Sequence, residues 1–207
     1  GSYKVSNDET TYQLEEGYYM LTSGIRMADG SVSAHLQFFN VRQEENTHIP
    51  LILKADENNI AVIGNIDAEQ KYLPSGQHTE TSILSTTGRG YFAIAIISDF
   101  SEPSIHALRQ LAASSDALNK RGFKLMVLCK DEKSCRRCAD YLKGIKNISY
   151  GIDKDDKVRT MIFDGCKLDK KEMPLITVAD SFGRVVYKSQ GYNTSLSEHL
   201  RSLLPAL

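Results

Sequence analysis

The run Tyr91-Phe-Ala-Ile-Ala-Ile-Ile97 constrains this chain more than any other stretch. Seven residues pass without a charge. A strand with one wet face alternates apolar and polar side chains, so a strand without alternation is buried on both faces. It needs a covering layer on each side, which points to an α/β arrangement. The next residues agree. Ser101-Glu-Pro-Ser104 forms a tight turn with a proline inside it. Ile105, Leu108, Leu111, Ala112 and Leu118 then mark one helical face.

The same alternation continues to the end of the chain. Gly122 stops the helix, and 123–129 is a second buried strand ending at Cys129. Residues 134–142 read as a short helix, 147–152 as a strand and 155–163 as a helix. Strands over 175–179 and 184–188 are joined by the turn Asp180-Ser-Phe-Gly183. Ser195 and Glu198 have the spacing of a capping box before Leu196, Leu200, Leu203 and Leu204. The order is β-α-β-α-β-α-β-β-α, an α/β unit with a mixed central sheet.

Residues before about 70 carry strand patterns only. Short runs at 12–14 and 18–25 are followed by Asp29-Gly30, a hairpin signal. Val32, Ala34, Leu36 and Phe38 alternate with polar partners. Residues 48–53, with Pro50 suggesting an edge, and 60–63 complete the set. A small antiparallel β-sandwich over 3–66 is expected. The Ser/Thr-rich stretch 67–89, with Pro74, Ser75-Gly76 and Gly88-Arg-Gly90, reads as a linker to a domain at 90–207. Ile83-Leu84 is its one apolar anchor and reads as a short strand.

Bulk properties exclude some functions. The 207 residues carry a net charge of -1, with 25% charged and 41% hydrophobic side chains. Nothing asks for nucleic acid or an anionic membrane. No apolar run approaches the roughly 20 residues of a membrane span. The start, Gly1-Ser2 without a methionine, reads as a fragment of a longer frame.

The second half resembles the thioredoxin fold in three places. The strand–turn–helix at Ser101 to Ser104 keeps the proline between positions that are cysteines in thioredoxins. Met173-Pro174 precedes the strand at 175–179, where that family carries a cis-proline facing the reactive loop. The closing hairpin ends in Gly191. Here both reactive positions are serine, which forms neither the attacking thiolate nor a disulfide.

A narrower resemblance rests on Glu16-Gly-Tyr-Tyr-Met-Leu21, Gly30-Ser-Val32, Phe38-Phe-Asn-Val41, Thr87-Gly-Arg-Gly-Tyr-Phe92 and Ser189-Gln-Gly-Tyr192. These look like the C-terminal region of exported transglutaminase-like proteins from gut anaerobes. That resemblance implies an upstream Cys-His-Asp domain as partner and an extracytoplasmic location.

Each chemical candidate has a plain alternative. Ser101 reads first as an N-cap accepting a first-turn N–H. No acid partner is evident for His106 beside Ser104. Cys135-Arg-Arg-Cys138 lies inside the second helix, where Cys135, Cys138, Ala139 and Leu142 share one stripe and suit core packing, as Cys129 does. A disulfide at this i, i+3 spacing is conceivable, but no second Cys/His pair completes a zinc site. Cys166 reads as a loop thiol. Asp153-Lys-Asp-Asp156 reads as a solvated helix start, not a calcium loop. Arg89 suits an anion or an interdomain surface. Tyr18, Tyr19 and Phe39 suit carbohydrate or protein contact.

The preferred expectation is a non-catalytic accessory module without cofactor or metal. It would bind a peptide, protein or glycan at Ser101, Glu102, Pro103, Ser104, Met173 and Pro174, and the missing thiols argue against catalysis by this stretch. Two alternatives stand beside it: a thiol–disulfide oxidoreductase using Cys135 and Cys138, and a purely structural spacer.

Overall fold

A computed structural model describes residues 11–26, 32–42, 49, 62–168 and 172–207. Two sheets are seen. The first is a hairpin of β1 (Gly17–Arg26) and β2 (Val32–Val41), antiparallel from Gly17 opposite Val41 to Arg26 opposite Val32. The Asp29-Gly30 turn, most of the expected strand at 48–53 and residues 60 and 61 lie outside the described residues. Residues 12–14 form no strand. The separate β-sandwich expected over 3–66 is therefore not what is observed, which is a two-stranded antiparallel sheet.

The second sheet has eight strands. They are β3 (Gly64–Asn65), β4 (Lys71–Pro74), β5 (Thr81–Ser82), β6 (Tyr91–Ile97), β7 (Lys124–Cys129), β8 (Ile148–Ile152), β9 (Leu175–Asp180) and β10 (Arg184–Gln190). Their order is β3-β10-β9-β6-β7-β8-β4-β5, with β6, β7 and β8 parallel. Between them run α1 (Ile83–Thr87), α2 (Glu102–Ala113), α3 (Ser115–Arg121), α4 (Glu132–Tyr141) and α5 (Lys157–Cys166), with α6 (Leu196–Leu203) at the end. After residue 90 the order read from the sequence is observed except at its first helix, which is two.

The stretch expected to be a linker carries β4, β5 and α1. β4 pairs with β8, through Leu73 opposite Ile152. Ile83 and Leu84 sit in α1, not in a strand: Ser82 accepts from the Ser85 N–H and starts the helix. The long helix expected over 105–118 is broken at Ser114 into α2 and α3, with the Ser114 hydroxyl donating to the Gln110 carbonyl. The capping box at Ser195 is not formed. The Asn193 side chain accepts from the Ser195 N–H instead.

β6 is central and its two faces feed two cores. Ala93, Ala95 and Ile97 join Leu108, Leu111, Val127 and Leu200 on one side. Phe92, Ile94 and Ile96 join Met126, Val158, Ile162 and Phe163 on the other. The turn between β9 and β10 is set by Asp180, which accepts from the N–H groups of Phe182 and Arg184. Gly183 there has φ +81°, and a Cβ would meet the Ile66 carbonyl oxygen at 2.0 Å. That close approach lets β3 pair with β10.

The hairpin is docked on this sheet, not detached from it. Phe38 is buried and meets Tyr187 edge-on with ring centres 5.2 Å apart, and the His199 ring at 5.0 Å. The Tyr18 hydroxyl reaches the carbonyl oxygens of Gln190 at 2.9 Å and Tyr192 at 2.7 Å. Arg42 pairs with Glu172 at 2.7 Å. Tyr19 and Phe39 stack on each other across the hairpin. Among the described residues no helix is long and apolar enough to cross a membrane.

Truncating Phe38 leaves a cavity among aromatic rings. Phe38→Ala is expected to lower unfolding free energy by about 3 kcal/mol in urea titration. Met20→Ala, at a position 46% exposed on the same hairpin, should cost far less.

Candidate functional site

The parallel strands end together. Ile97 is level with Cys129, and Cys129 with Ile152. β9 runs the other way, so its first residue, Leu175, lies opposite Ile96. The segments 98–104, 130–132 and 153–156 and Pro174 therefore gather at one end of the sheet, the usual place for sites in α/β folds.

In the first of these segments Asp99 is the organising residue. Its Oδ1 accepts from the Ser101 N–H at 3.0 Å, the Ser101 hydroxyl at 2.6 Å and the Ser104 hydroxyl at 3.1 Å. The Ser101 side chain thus donates backward and does not cap the helix. Hydrogen bonds from Ser101, aided by Ser104, hold the Asp99 carboxyl below its ordinary 3.8. Both hydroxyls donate to this one carboxylate, and its depressed pKa makes it a weak base for activating either serine. Glu102 is exposed and starts α2, with Pro103 in its first turn. His106 stacks on Tyr192, ring centres 4.5 Å apart, and forms no hydrogen bond with Ser104. The Asp two residues before Ser101 was the available signal for this network, since aspartate commonly caps its own turn.

The Met173–Pro174 peptide is cis, as expected. Met173 packs against the core around Ile96 and Leu175. Pro174 is buried, and its carbonyl oxygen accepts from the Gly191 N–H. From Leu175 onward both edges of β9 are filled, by β6 and β10.

Thiols converge one strand away. Cys129 ends β7, while Cys135 and Cys138 stand one turn apart on the face of α4 that covers it. The sulfurs of Cys129 and Cys138 are 3.6 Å apart. As a thiol, Cys135 donates to the Gly151 carbonyl oxygen at 3.3 Å. As a thiolate it accepts from Cys129, which pulls its pKa below the ordinary thiol value. The same donation pushes Cys129 upward. Sequence spacing pairs Cys135 with Cys138 but gives no hint of Cys129, which only the sheet brings within reach.

Local contacts fix α4. Asp131 is its N-cap and accepts from the Ser134 N–H at 2.7 Å. Glu132 accepts from the Ser75 hydroxyl at 2.6 Å and the Gly76 N–H at 2.7 Å, closing the turn after β4 over the start of the helix. Arg137 lies 4.0 Å above the Phe100 ring and ties α4 to the serine loop. Among the described residues no three His, Cys, Asp or Glu side chains converge as metal ligands.

Two other positions differ from expectation. Cys166 is buried at the end of α5, with its pKa pushed up to about 11 by burial, and is no loop thiol. Asp153 is buried rather than solvated, accepting from the N–H groups of Val158 and Arg159. Burial raises its pKa despite those two donors.

No protein-family model matches the chain, and no curated protein does. Solved structures are similar to it. The bacterioferritin comigratory protein of Xanthomonas campestris, described for alkyl peroxide reduction, shares 16% identity at a TM-score of 0.52, over 70% of this chain and 98% of its own. A putative thiol:disulfide interchange protein DsbE from Chlorobium tepidum shares 15%, at 0.50, over 70% and 98%. A secreted Mycobacterium tuberculosis disulfide oxidoreductase shares 9%, at 0.50, over 68% and 97%. At these identities the likeness shows the fold, which is thioredoxin-like. It also overturns the expectation of a non-catalytic accessory module, because the proteins resembled are described for peroxide reduction, thiol:disulfide interchange and disulfide oxidoreduction. Nothing in these likenesses bears on an upstream transglutaminase-like domain.

Asp99 carries a prediction about acid stability. Its folded pKa is depressed, so its contribution is fully present above the ordinary carboxylate value and fades as pH falls through the folded value. Asp99→Asn should flatten the loss of melting temperature below about pH 4. An unchanged acid limb in that variant would show that the serine loop is not held by this carboxylate.

Proposed function

We propose that this protein is a thiol–disulfide oxidoreductase of thioredoxin-like fold whose working thiols are Cys129, Cys135 and Cys138. The observation that carries the reading is the 3.6 Å separation of the Cys129 and Cys138 sulfurs, with Cys135 on the same helix face. A disulfide needs about 2.05 Å, so closure requires a shift of roughly 1.5 Å and no refolding.

The chemistry follows from the order of thiol acidities. Cys135, more easily deprotonated than Cys129, attacks one sulfur of a substrate disulfide. The substrate S–S bond breaks, and the departing thiolate takes the Cys129 proton. Cys129 then attacks the Cys135 sulfur, releasing the second substrate thiol and leaving a disulfide in the protein. The substrate gains two electrons and the protein loses two. Cys138, beside Cys129, then gives up its proton and attacks the Cys129 sulfur, forming a Cys129–Cys138 disulfide as the Cys129–Cys135 bond breaks and Cys135 leaves as the thiolate that takes that proton. An external dithiol returns the protein to its starting state.

The three thiols are at most 2% exposed. Turnover therefore requires local opening at the first turn of α4, where Glu132 holds Ser75 and Gly76. An extracytoplasmic setting, where disulfides persist, suits this chemistry. One of the similar solved proteins is itself described as secreted.

Oxidation in a glutathione buffer series followed by peptide mapping should locate a disulfide that includes Cys129. Cys129→Ser should remove it, and Cys135→Ser should abolish insulin reduction. Absence of any disulfide among these thiols, together with turnover indifferent to all three serine variants, would overturn the reading. Glu132→Ala should speed alkylation of Cys135 about tenfold, the effect of losing charge-assisted hydrogen bonds over a buried thiol. An unchanged alkylation rate would place the opening elsewhere.

A further inference from the structure

A cavity of about 800 Å³ lies where the hairpin meets the β3–β10 edge of the large sheet. That is the size of an ordinary small-molecule site. Its walls are mixed: Phe38, Phe39, Ile63 and Leu168 give apolar patches, and Gln37, Asn40 and Asn65 stand among polar residues. None of Cys129, Cys135 and Cys138 lines it, so it is separate from the thiol cluster.

Polar groups in the cavity are under-satisfied. Lys188 is half-buried there, and its ammonium donates to the Cys166 carbonyl oxygen at 2.8 Å. Among the described residues it has no carboxylate partner, and its charged neighbour, Lys167, has the same sign. Burial accordingly lowers the Lys188 pKa. A partly desolvated ammonium without a counter-ion is a costly arrangement unless an anion completes it. His199 also lines the cavity. It is only 7% exposed, and its Nδ1 has no hydrogen-bond partner. Arg42, at the rim, is already paired with Glu172.

We infer that this cavity is a binding site for a small organic anion with an apolar body, its charged group at Lys188 and its body against Phe38 and Leu168. A neutral ligand of the same shape leaves the ammonium uncompensated. A fully hydrated anion leaves the apolar patches wet. Only a molecule with both parts answers both features.

The test uses the whole chain and 8-anilinonaphthalene-1-sulfonate, a fluorescent anion with an aromatic body, with decanoate and decanol as competitors. Saturable binding at one site per chain is expected. Decanoate should displace the probe at least about tenfold better than decanol, the weight of one charge-assisted contact. Lys188→Met should weaken binding by a similar factor, while Lys124→Met, away from the cavity, should not. Val62 stands 41% exposed at the rim, so Val62→Trp should block entry without disturbing the core. If Lys188→Met fails to fold by circular dichroism, Val62→Trp and the decanoate–decanol comparison decide. Non-saturable binding, equal displacement by decanol, or indifference to Val62→Trp would overturn the proposal. Retention of binding in the Cys129→Ser variant would show that the site stands whatever becomes of the redox reading.

Discussion

The structure depends on the burial of β6. Its residues 92–97 are all at most 3% exposed, and their side chains alternate between the two cores. Each fully buried isoleucine contributes about 2 kcal/mol of transfer free energy, and the strand carries three. Burial on both faces also requires both edges to be paired, since an unpaired backbone amide in that interior is costly. β7 and β9 fill those edges, one parallel and one antiparallel. Helices then cover the two faces, and the end of the sheet where β6, β7 and β8 finish together becomes the place where chemistry can collect.

At that end the serine loop and the thiols occupy separate, neighbouring elements. The serine loop has a settled hydrogen-bond network around Asp99 and lacks a nucleophile. The thiols occupy the neighbouring strand and helix. Placing them there costs accessibility, because α4 lies over β7 and Glu132 fastens its first turn. It gives close sulfur contacts in a low-dielectric interior, where a donor thiol strongly biases which sulfur ionises. The Arg137–Phe100 contact joins the two regions mechanically.

The hairpin extends this frame on the far edge of the sheet. Phe38 enters the main core beside Tyr187 and His199, and Tyr18 satisfies backbone carbonyls near Gly191. A two-stranded sheet alone is marginal in water, so docking is what sustains it. The same docking leaves the cavity at Lys188, whose neighbours come from β2, β10 and the end of α5.

From Tyr91 to Leu207 the order of elements was legible in the sequence apart from the break at Ser114, because helices declare themselves by the period of their apolar residues and buried strands by unbroken apolar runs. The turn at Asp180–Gly183 and the two strands of the hairpin were legible for the same local reason. The short strands at 64–65, 71–74 and 81–82 were not: two to four residues are too few for a period, and what places them is pairing of backbone groups, which no side-chain pattern records. Asp99 was missed because its partners are hydroxyls whose direction is free until the turn forms. Cys135 and Cys138 could be paired by helical spacing, whereas Cys129 could not, since its distance to Cys138 is set by how α4 lies across β7. Local periodicity is written along the chain. Which edges meet, and which sulfurs they bring together, depends on burial summed over the whole sheet, and only the tertiary structure decided that.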